Sequence, residues 1–479
     1  MDRYDLLVVG GGINGAAIAR DAAGRGLSVL LVEKDDLGAH TSSASSKLAH
    51  GGLRYLERRQ FRLVRESLAE REALLRNAPH IVRPLRFILP HAPGMRSWWT
   101  IRLGLLLYDL FAVRGSLPRS RRVSGGDPAR APLKDGAARR LLCFWDASVD
   151  DSRLVALNAL DAAERGAEIA TRTALLSARR DRDLWRVELS DGRTIASAAI
   201  VNAAGPWVSE VLEQRIGAAA AGRLRLVRGS HILVAPLWDE DHAYILQQPD
   251  GRIVFGMPFE GGTLIGTTDA AASSPEDETA TAEEIAYLCE AANRWFQQRI
   301  APADVIWSFS GIRALWDDGA ADARSVSREH HLELDPQPGP RLLSVFGGKL
   351  TGARALASEA LDRLGASGLK FTRTTPLPGG DVMPSFLAWL GTLSGWMPPD
   401  LLARLSRAYG TRLRGLLGDA GRLEDLGRHF GAGLYEAEVR YLREQEFART
   451  TEDILWRRAK LGLRFSDAET KALTRYLKD

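Results

Sequence analysis

The chain has 479 residues, enough for about two or three domains with a large buried core. Its net charge of +4 gives only a mild pull toward anionic partners, and its two cysteines, Cys143 and Cys289, rule out a disulfide framework and suit a reducing compartment. With nine histidines and no C-x-x-C there is no metal-site spacing; no signal peptide is visible, and no apolar run reaches the length of a bilayer span.

Residues 4–9 form a short apolar run that passes directly into G-x-G-x-x-G at Gly10, Gly12 and Gly15. Residues 16–24 then read as a helix, residues 27–32 as a second strand, and Glu33 closes the unit. Strand, glycine turn, helix, strand and acid is the context that dinucleotide binding requires. Gly10 permits the sharp turn, Gly12 lets backbone approach a pyrophosphate, and Gly15 lets helix and strand pack closely. The helix start offers unpaired N–H groups and partial positive charge to the phosphates. Glu33 stands where a carboxylate holds ribose hydroxyls, which argues against the 2′-phosphate of NADP. The motif alone leaves FAD and NAD both open.

A polar loop follows, with Thr41, Ser42, Ser45 and Ser46; it reads as a solvated connector or as a contact to pyrophosphate or ribitol. His50, Gly51 and Gly52 then precede Arg54 and Tyr55, a pattern that brings backbone and polar side chains close to a ligand. Taken with the fingerprint, the continuous stretch 41–57 resembles the signature of the respiratory FAD-dependent glycerol-3-phosphate dehydrogenase family. That motif is long and specific.

Residues 61–77 are a charged helix. Residues 93–122 combine Trp98 and Trp99, a leucine-rich stretch and flanking arginines, the pattern of an interfacial membrane helix or of a core helix with solvated flanks. The resemblance favours the membrane. A helix at 154–165 and strands at 184–190 and 194–201 follow, the last leading into Ala204, Gly205 and Trp207, which resembles a second flavin contact of the glycine-oxidase-like superfamily and tips the cofactor toward FAD. Short β-branched runs at 226–234, 244–246, 252–256 and 263–269 read as an antiparallel sheet, and 275–299 as a helix. Residues 305–315 and 344–351 return the chain to the cofactor domain, ending in Gly348, Lys349, Leu350 and Thr351 before another helix. Residues 374–380 read as a linker, and the remainder as a helical unit.

The resemblance implies an α/β fold: a Rossmann-like, glycine-oxidase-like FAD domain (1–90, 141–215 and 305–373), a mixed or antiparallel substrate-capping and membrane-associated domain (91–140 and 216–304), and a helical accessory domain (374–479). It implies FAD as cofactor, held by Gly10, Gly12, Ile13, Asn14, Gly15, Glu33, Lys34, Thr41, Ser42, Ser45, Ser46, His50, Gly51, Gly52, Ala204, Gly205, Trp207, Gly348, Lys349, Leu350 and Thr351. The expected reaction is oxidation of sn-glycerol 3-phosphate to dihydroxyacetone phosphate, with hydride passing from C2 to flavin N5 and electrons to a membrane quinone. Arg54, Tyr55, His231, Thr268, Arg313, Arg328 and Lys349 are the expected substrate contacts; several cations together fit a phosphate, although each singly also reads as a surface residue or ion-pair partner. His231 is the first choice for the base and His50 the second; Arg313, Lys349 and Arg54 steady phosphate and alkoxide. The expected place is the cytoplasmic face of the cell membrane, with a homodimer as one assembly option and no nucleic-acid partner. Departures from the family pattern are Arg228 for Lys, Ala314 for Pro, and Gly352-Ala353 for Thr-Tyr. The rival readings are an oxygen-using oxidase, an NAD-dependent dehydrogenase and a nucleic-acid-binding flavoprotein.

Overall fold

In the computed structural model, which describes residues 1–53, 56, 59–92, 96–112, 115–219, 224–317 and 330–478, the opening apolar run is the central strand of a mixed sheet. Strand Arg3–Val9 pairs in parallel with Val29–Glu33 on one side and Thr194–Asn202 on the other. Glu168–Thr171 and Arg341–Phe346 extend the parallel core outward, and His331–Leu334 closes one edge antiparallel. A parallel sheet is covered on both faces, so its strands are apolar throughout rather than alternating. Leu6 and Val8 pack against helices Ile13–Gly24, Asp151–Glu164 and Ala353–Arg363. Leu7 and Val9 point the other way, into an antiparallel arm made by Leu175–Asp181 and Leu184–Leu189, with buried Trp185. Each such fully buried aliphatic side chain stabilises the fold by about 1.5–3 kcal/mol.

Among the described residues the second sheet has ten strands. Its longest ladder joins Leu224–Val234 to Trp307–Trp316 over ten antiparallel pairs. Gly262–Gly266, Ile253–Phe259 and His242–Gln247 continue it, and Val82–Pro90 and Leu141–Val149 complete its far half. Val82–Pro90, Leu141–Val149 and Trp307–Trp316, grouped with the cofactor domain on sequence, are therefore hydrogen-bonded into this sheet. Helix Ala282–Asn293 covers one face and helices Phe61–Asn77 and Trp98–Phe111 the other.

Three segments differ from their sequence reading. The helix expected over 275–299 is confined to Ala282–Asn293, begun by a capping box in which Thr281 and Glu284 satisfy each other's backbone N–H groups. Before it, Ser273 donates to Asp277 and Trp207 Nε1 donates to Glu276, so these acids serve a turn rather than a helix. The linker at 374–380 is docked: the Leu377 amide donates to the Asn77 carbonyl at 2.8 Å, and residues 377–380 are buried. Helix Trp98–Phe111 has two apolar faces. Ile101, Leu105 and Tyr108 are buried, whereas Trp99, Leu103, Leu106 and Leu110 lie on an opposite stripe and are 75%, 58%, 55% and 56% exposed. Among the described residues no helix is long and apolar enough to cross a membrane.

The C-terminal unit packs helices such as Pro399–Tyr409 and Glu436–Gln445 around its own core. Buried ion pairs join it to the first sheet's loops: Arg457 and Arg458 both donate to Asp36, and Arg153 donates to Glu446 from the helix behind that sheet.

Candidate active site

The first glycine turn is built for close approach. Gly10 has φ +108°, in the region open to glycine, and a Cβ there would sit 2.5 Å from the Ala203 carbonyl oxygen. A Cβ on Gly15 would collide with the Gly10 carbonyl oxygen, so that glycine fixes helix against strand. Ser42 Oγ accepts from the Ile13 amide at 3.0 Å, while Glu33 accepts from the Gly11 amide at 2.6 Å and the Asp35 amide at 2.9 Å. These bonds hold the Glu33 carboxylate against the cavity wall with lone pairs left over for hydroxyl donors. Burial pushes its pKa up despite them.

A cavity of about 400 Å³ runs from this turn along the carboxyl ends of the parallel strands. Every residue expected to hold the cofactor lines it except Gly15, Gly51 and Gly52. Gly15 is the packing contact just described. Gly51 is turned toward Leu68 and donates to the Tyr108 hydroxyl at 2.9 Å, and Gly52 lines the adjoining cavity. The serine-rich loop is ordered by its own bonds: Thr41 donates to the Ile312 carbonyl at 2.7 Å and Ser45 to Asp151 at 2.7 Å. Gly347 and Gly348 have φ +70° and +98°, and Asn14 donates to the Gly347 carbonyl at 3.0 Å, joining the first turn to the third. Thr173, Ala174, Leu175 and the Glu210–Arg215 pair shape the far end beyond Glu33; no motif in the sequence marks them.

At the other end the wall becomes cationic. Arg313 donates to Asp269 at 2.6 Å and to Thr267 at 3.2 Å, and a Cβ on Gly229 would stand 2.6 Å from the guanidinium, so Gly229 makes room for it. Lys349 and His50 line the same space. His50, Phe255 and Thr267 also line a second cavity of about 300 Å³, whose wall is largely apolar (Leu53, Phe87, Ile101, Leu103, Leu107, Ile253) with Arg96, Gln247 and Asp146 as polar groups. Arg96 donates to the Gln247 side-chain oxygen at 3.3 Å.

Two expected contacts sit elsewhere. Thr268, just past the end of strand Gly262–Gly266, accepts from the Ser230 amide and donates to Glu284 at 2.6 Å, away from the cavity; its neighbour Thr267 lines the cavity. His231 is 2% exposed, stacks on Phe309 with centroids 4.8 Å apart, and meets the cavity wall only through Ser46 Oγ at 2.9 Å. Burial holds it well below the usual imidazole range, with Arg313 and Lys47 acting in the same direction, so it is neutral near pH 7. Arg54, Tyr55 and Arg328 lie outside the described residues.

A glycine turn on a parallel sheet, an acid after the second strand and a covering second sheet define an FAD-dependent oxidoreductase. The family described as FAD dependent oxidoreductase matches residues 5–354, and the C-terminal domain of alpha-glycerophosphate oxidase matches residues 370–478. The chain is 49% identical to glycerol-3-phosphate dehydrogenase of Pseudomonas aeruginosa over 99% of its own length and 95% of that protein's. It is 47% identical to D-erythritol 1-phosphate dehydrogenase of Brucella abortus over 98% and 97%. The solved glycerol-3-phosphate dehydrogenase from Bacillus halodurans, complexed with FAD, superposes with a TM-score of 0.73 at 25% identity, over 99% of this chain and 94% of that one. The chain belongs to the FAD-dependent glycerol-3-phosphate dehydrogenase family, and its cofactor is FAD.

Proposed function

We propose that the chain oxidises sn-glycerol 3-phosphate to dihydroxyacetone phosphate and delivers the electrons to a membrane quinone. The observation that carries this reading is Arg313 bonded to Thr267, a residue of both cavities, with His50 on the wall of both and Lys349 on the wall of the cofactor cavity. FAD, held by the residues that line the first cavity, would supply the redox chemistry when bound. Arg313 and Lys349 hold the phosphate, the guanidinium as a planar fork already oriented by Asp269 and Thr267. His50, on the wall of both cavities, takes the C2 hydroxyl proton. His231 acts one layer back, as a neutral acceptor or donor that orients Ser46. The acceptor reaches the site through the apolar cavity beneath helix Trp98–Phe111, whose exposed stripe lies in the membrane interface on the cytoplasmic side.

The second reading is oxidation of D-erythritol 1-phosphate. It is favoured by the Brucella relative and by polar Arg96 and Gln247 in the adjoining cavity, room and donors for one further hydroxymethylene. Anaerobic bleaching of the flavin by each phosphate in turn, followed by reoxidation with a short-chain quinone or with oxygen, separates these readings. Bleaching by glycerol 3-phosphate with faster reoxidation by quinone is expected; bleaching by neither phosphate refutes both.

A further inference from the structure

One wall of the cofactor cavity is held from outside by a segment of the other sheet. Lys34, His40 and Trp207 form that wall, close to the Glu33 carboxylate. The Lys34 ammonium lies over the Trp207 ring, 4.4 Å from its centroid, and the His40 and Trp207 rings are 4.5 Å apart. Behind them runs segment 272–281, which leaves the second sheet at Ala270–Ala271 and re-enters it at helix Ala282–Asn293. Glu276 accepts from Trp207 Nε1 at 2.9 Å, and Glu278 meets His40 Nδ1 at 3.2 Å. The segment is braced for this: the Ser273 amide and hydroxyl both donate to Asp277, and the far end is anchored where Glu284 binds Arg228 and Thr268. Neither Glu276 nor Glu278 lines the cofactor cavity.

We propose that segment 272–281 is a clasp that retains FAD, and that Glu276 and Glu278 are cofactor-positioning residues acting through Trp207 and His40. A wall residue free to swing exposes the adenosine end; one hydrogen-bonded to a second sheet swings only when that sheet lets go. The two bonds differ in how they respond to pH. Trp207 Nε1 donates at any pH. His40 is faced by Glu278 on Nδ1, by Asp35 at 2.8 Å and Lys34 at 3.3 Å on Nε2, and by the Trp207 ring, with Glu33 nearby and Lys47 and Arg457 lining the space behind. Burial lowers its pKa, but the bonds to Glu278 and Asp35 outweigh this and leave it raised. The clasp is thus tightest with His40 protonated, a contribution present below about pH 6.5 and lost as pH rises through the raised folded value.

The test is the release rate of FAD from the holoenzyme, read as recovery of free-flavin fluorescence after dilution. Glu276→Ala with Glu278→Ala, which removes both acceptors, is expected to release FAD about tenfold faster at pH 6 while turning over normally at saturating FAD. A rate within about twofold of the parent overturns the proposal. Wild-type protein gives an independent arm: release accelerates from about pH 6 to about pH 9, and a flat profile overturns the proposal even where the double variant folds poorly.

Discussion

Membrane attachment through helix Trp98–Phe111 can be put to a quantitative test. Leu106 and Leu110 are 55% and 56% exposed and line neither cavity, so serine at both leaves core and site unchanged. Full burial of a leucine side chain stabilises by about 1.5–3 kcal/mol; with half of each already covered, each contributes about 1 kcal/mol in a bilayer interface. The double variant then loses about 2 kcal/mol, or about thirtyfold in partition. Arg102, Arg121 and Arg122, all exposed, add a salt-sensitive attraction to anionic lipid that the variant keeps. Flotation with phosphatidylglycerol vesicles at a series of lipid concentrations measures the shift. Activity with a soluble acceptor dye is expected to be unchanged. Unchanged flotation refutes the reasoning. Leu105→Ser is the contrast, because Leu105 is 2% exposed and its loss lowers the melting temperature instead.

Arg313→Ala removes a charge-assisted fork worth about 1.5–3 kcal/mol and is expected to raise KM for glycerol 3-phosphate about tenfold or more, with a small effect on glycerol; equal effects on both refute the phosphate role. Gly15→Ala drives a methyl into the Gly10 carbonyl and is expected to yield protein without the visible absorbance band of bound oxidised flavin. Buried His80 and His242 are held down at about 3 and about 4, by burial first and by Arg153 and Arg86 respectively. The unfolded chain therefore binds more protons below about pH 6.5, and each histidine costs about 2 kcal/mol of stability on going to pH 5; His80→Leu should flatten the fall in melting temperature. Asp36→Asn leaves Arg457 and Arg458 short of a buried partner, an expected loss of about 3–5 kcal/mol, seen in thermal melts as a lowered midpoint.

How much was legible depends on how local each signal was. The opening turn was readable because strand, glycines, helix and acid lie within 33 residues, and each glycine has one neighbour that explains it. Arg313, Lys349 and His50 were reached through family motifs, and all three line the first cavity. Thr268 is turned to Glu284, because the strand expected over 263–269 ends at Gly266 and the run carries no mark of that end. The depth of His231 was not legible, since nothing in its sequence neighbours shows that Ser46, 185 residues away, lies against its ring. Segment 275–281 read as helix because acids suit a first turn; their real partners, Trp207 and His40, come from the other sheet. Helix Trp98–Phe111 left membrane and core both open because its sequence carries both faces.

That double face ties attachment to acceptor access. Ile101 and Leu107, with Leu103 at the edge of the exposed stripe, line the apolar cavity from the same helix, so one element carries both a wall of the cavity and the surface proposed to meet lipid. On the proposed reading, an apolar acceptor dissolved in the bilayer would reach the site along this wall, in which Arg96 is the one arginine or lysine among the described residues, whereas a phosphorylated polyol would be drawn to Arg313 and Lys349 on the wall of the cofactor cavity. On that reading charge and apolarity would divide the two adjoining cavities between reactants of opposite character, with His50, Phe255 and Thr267, which line both, at the boundary.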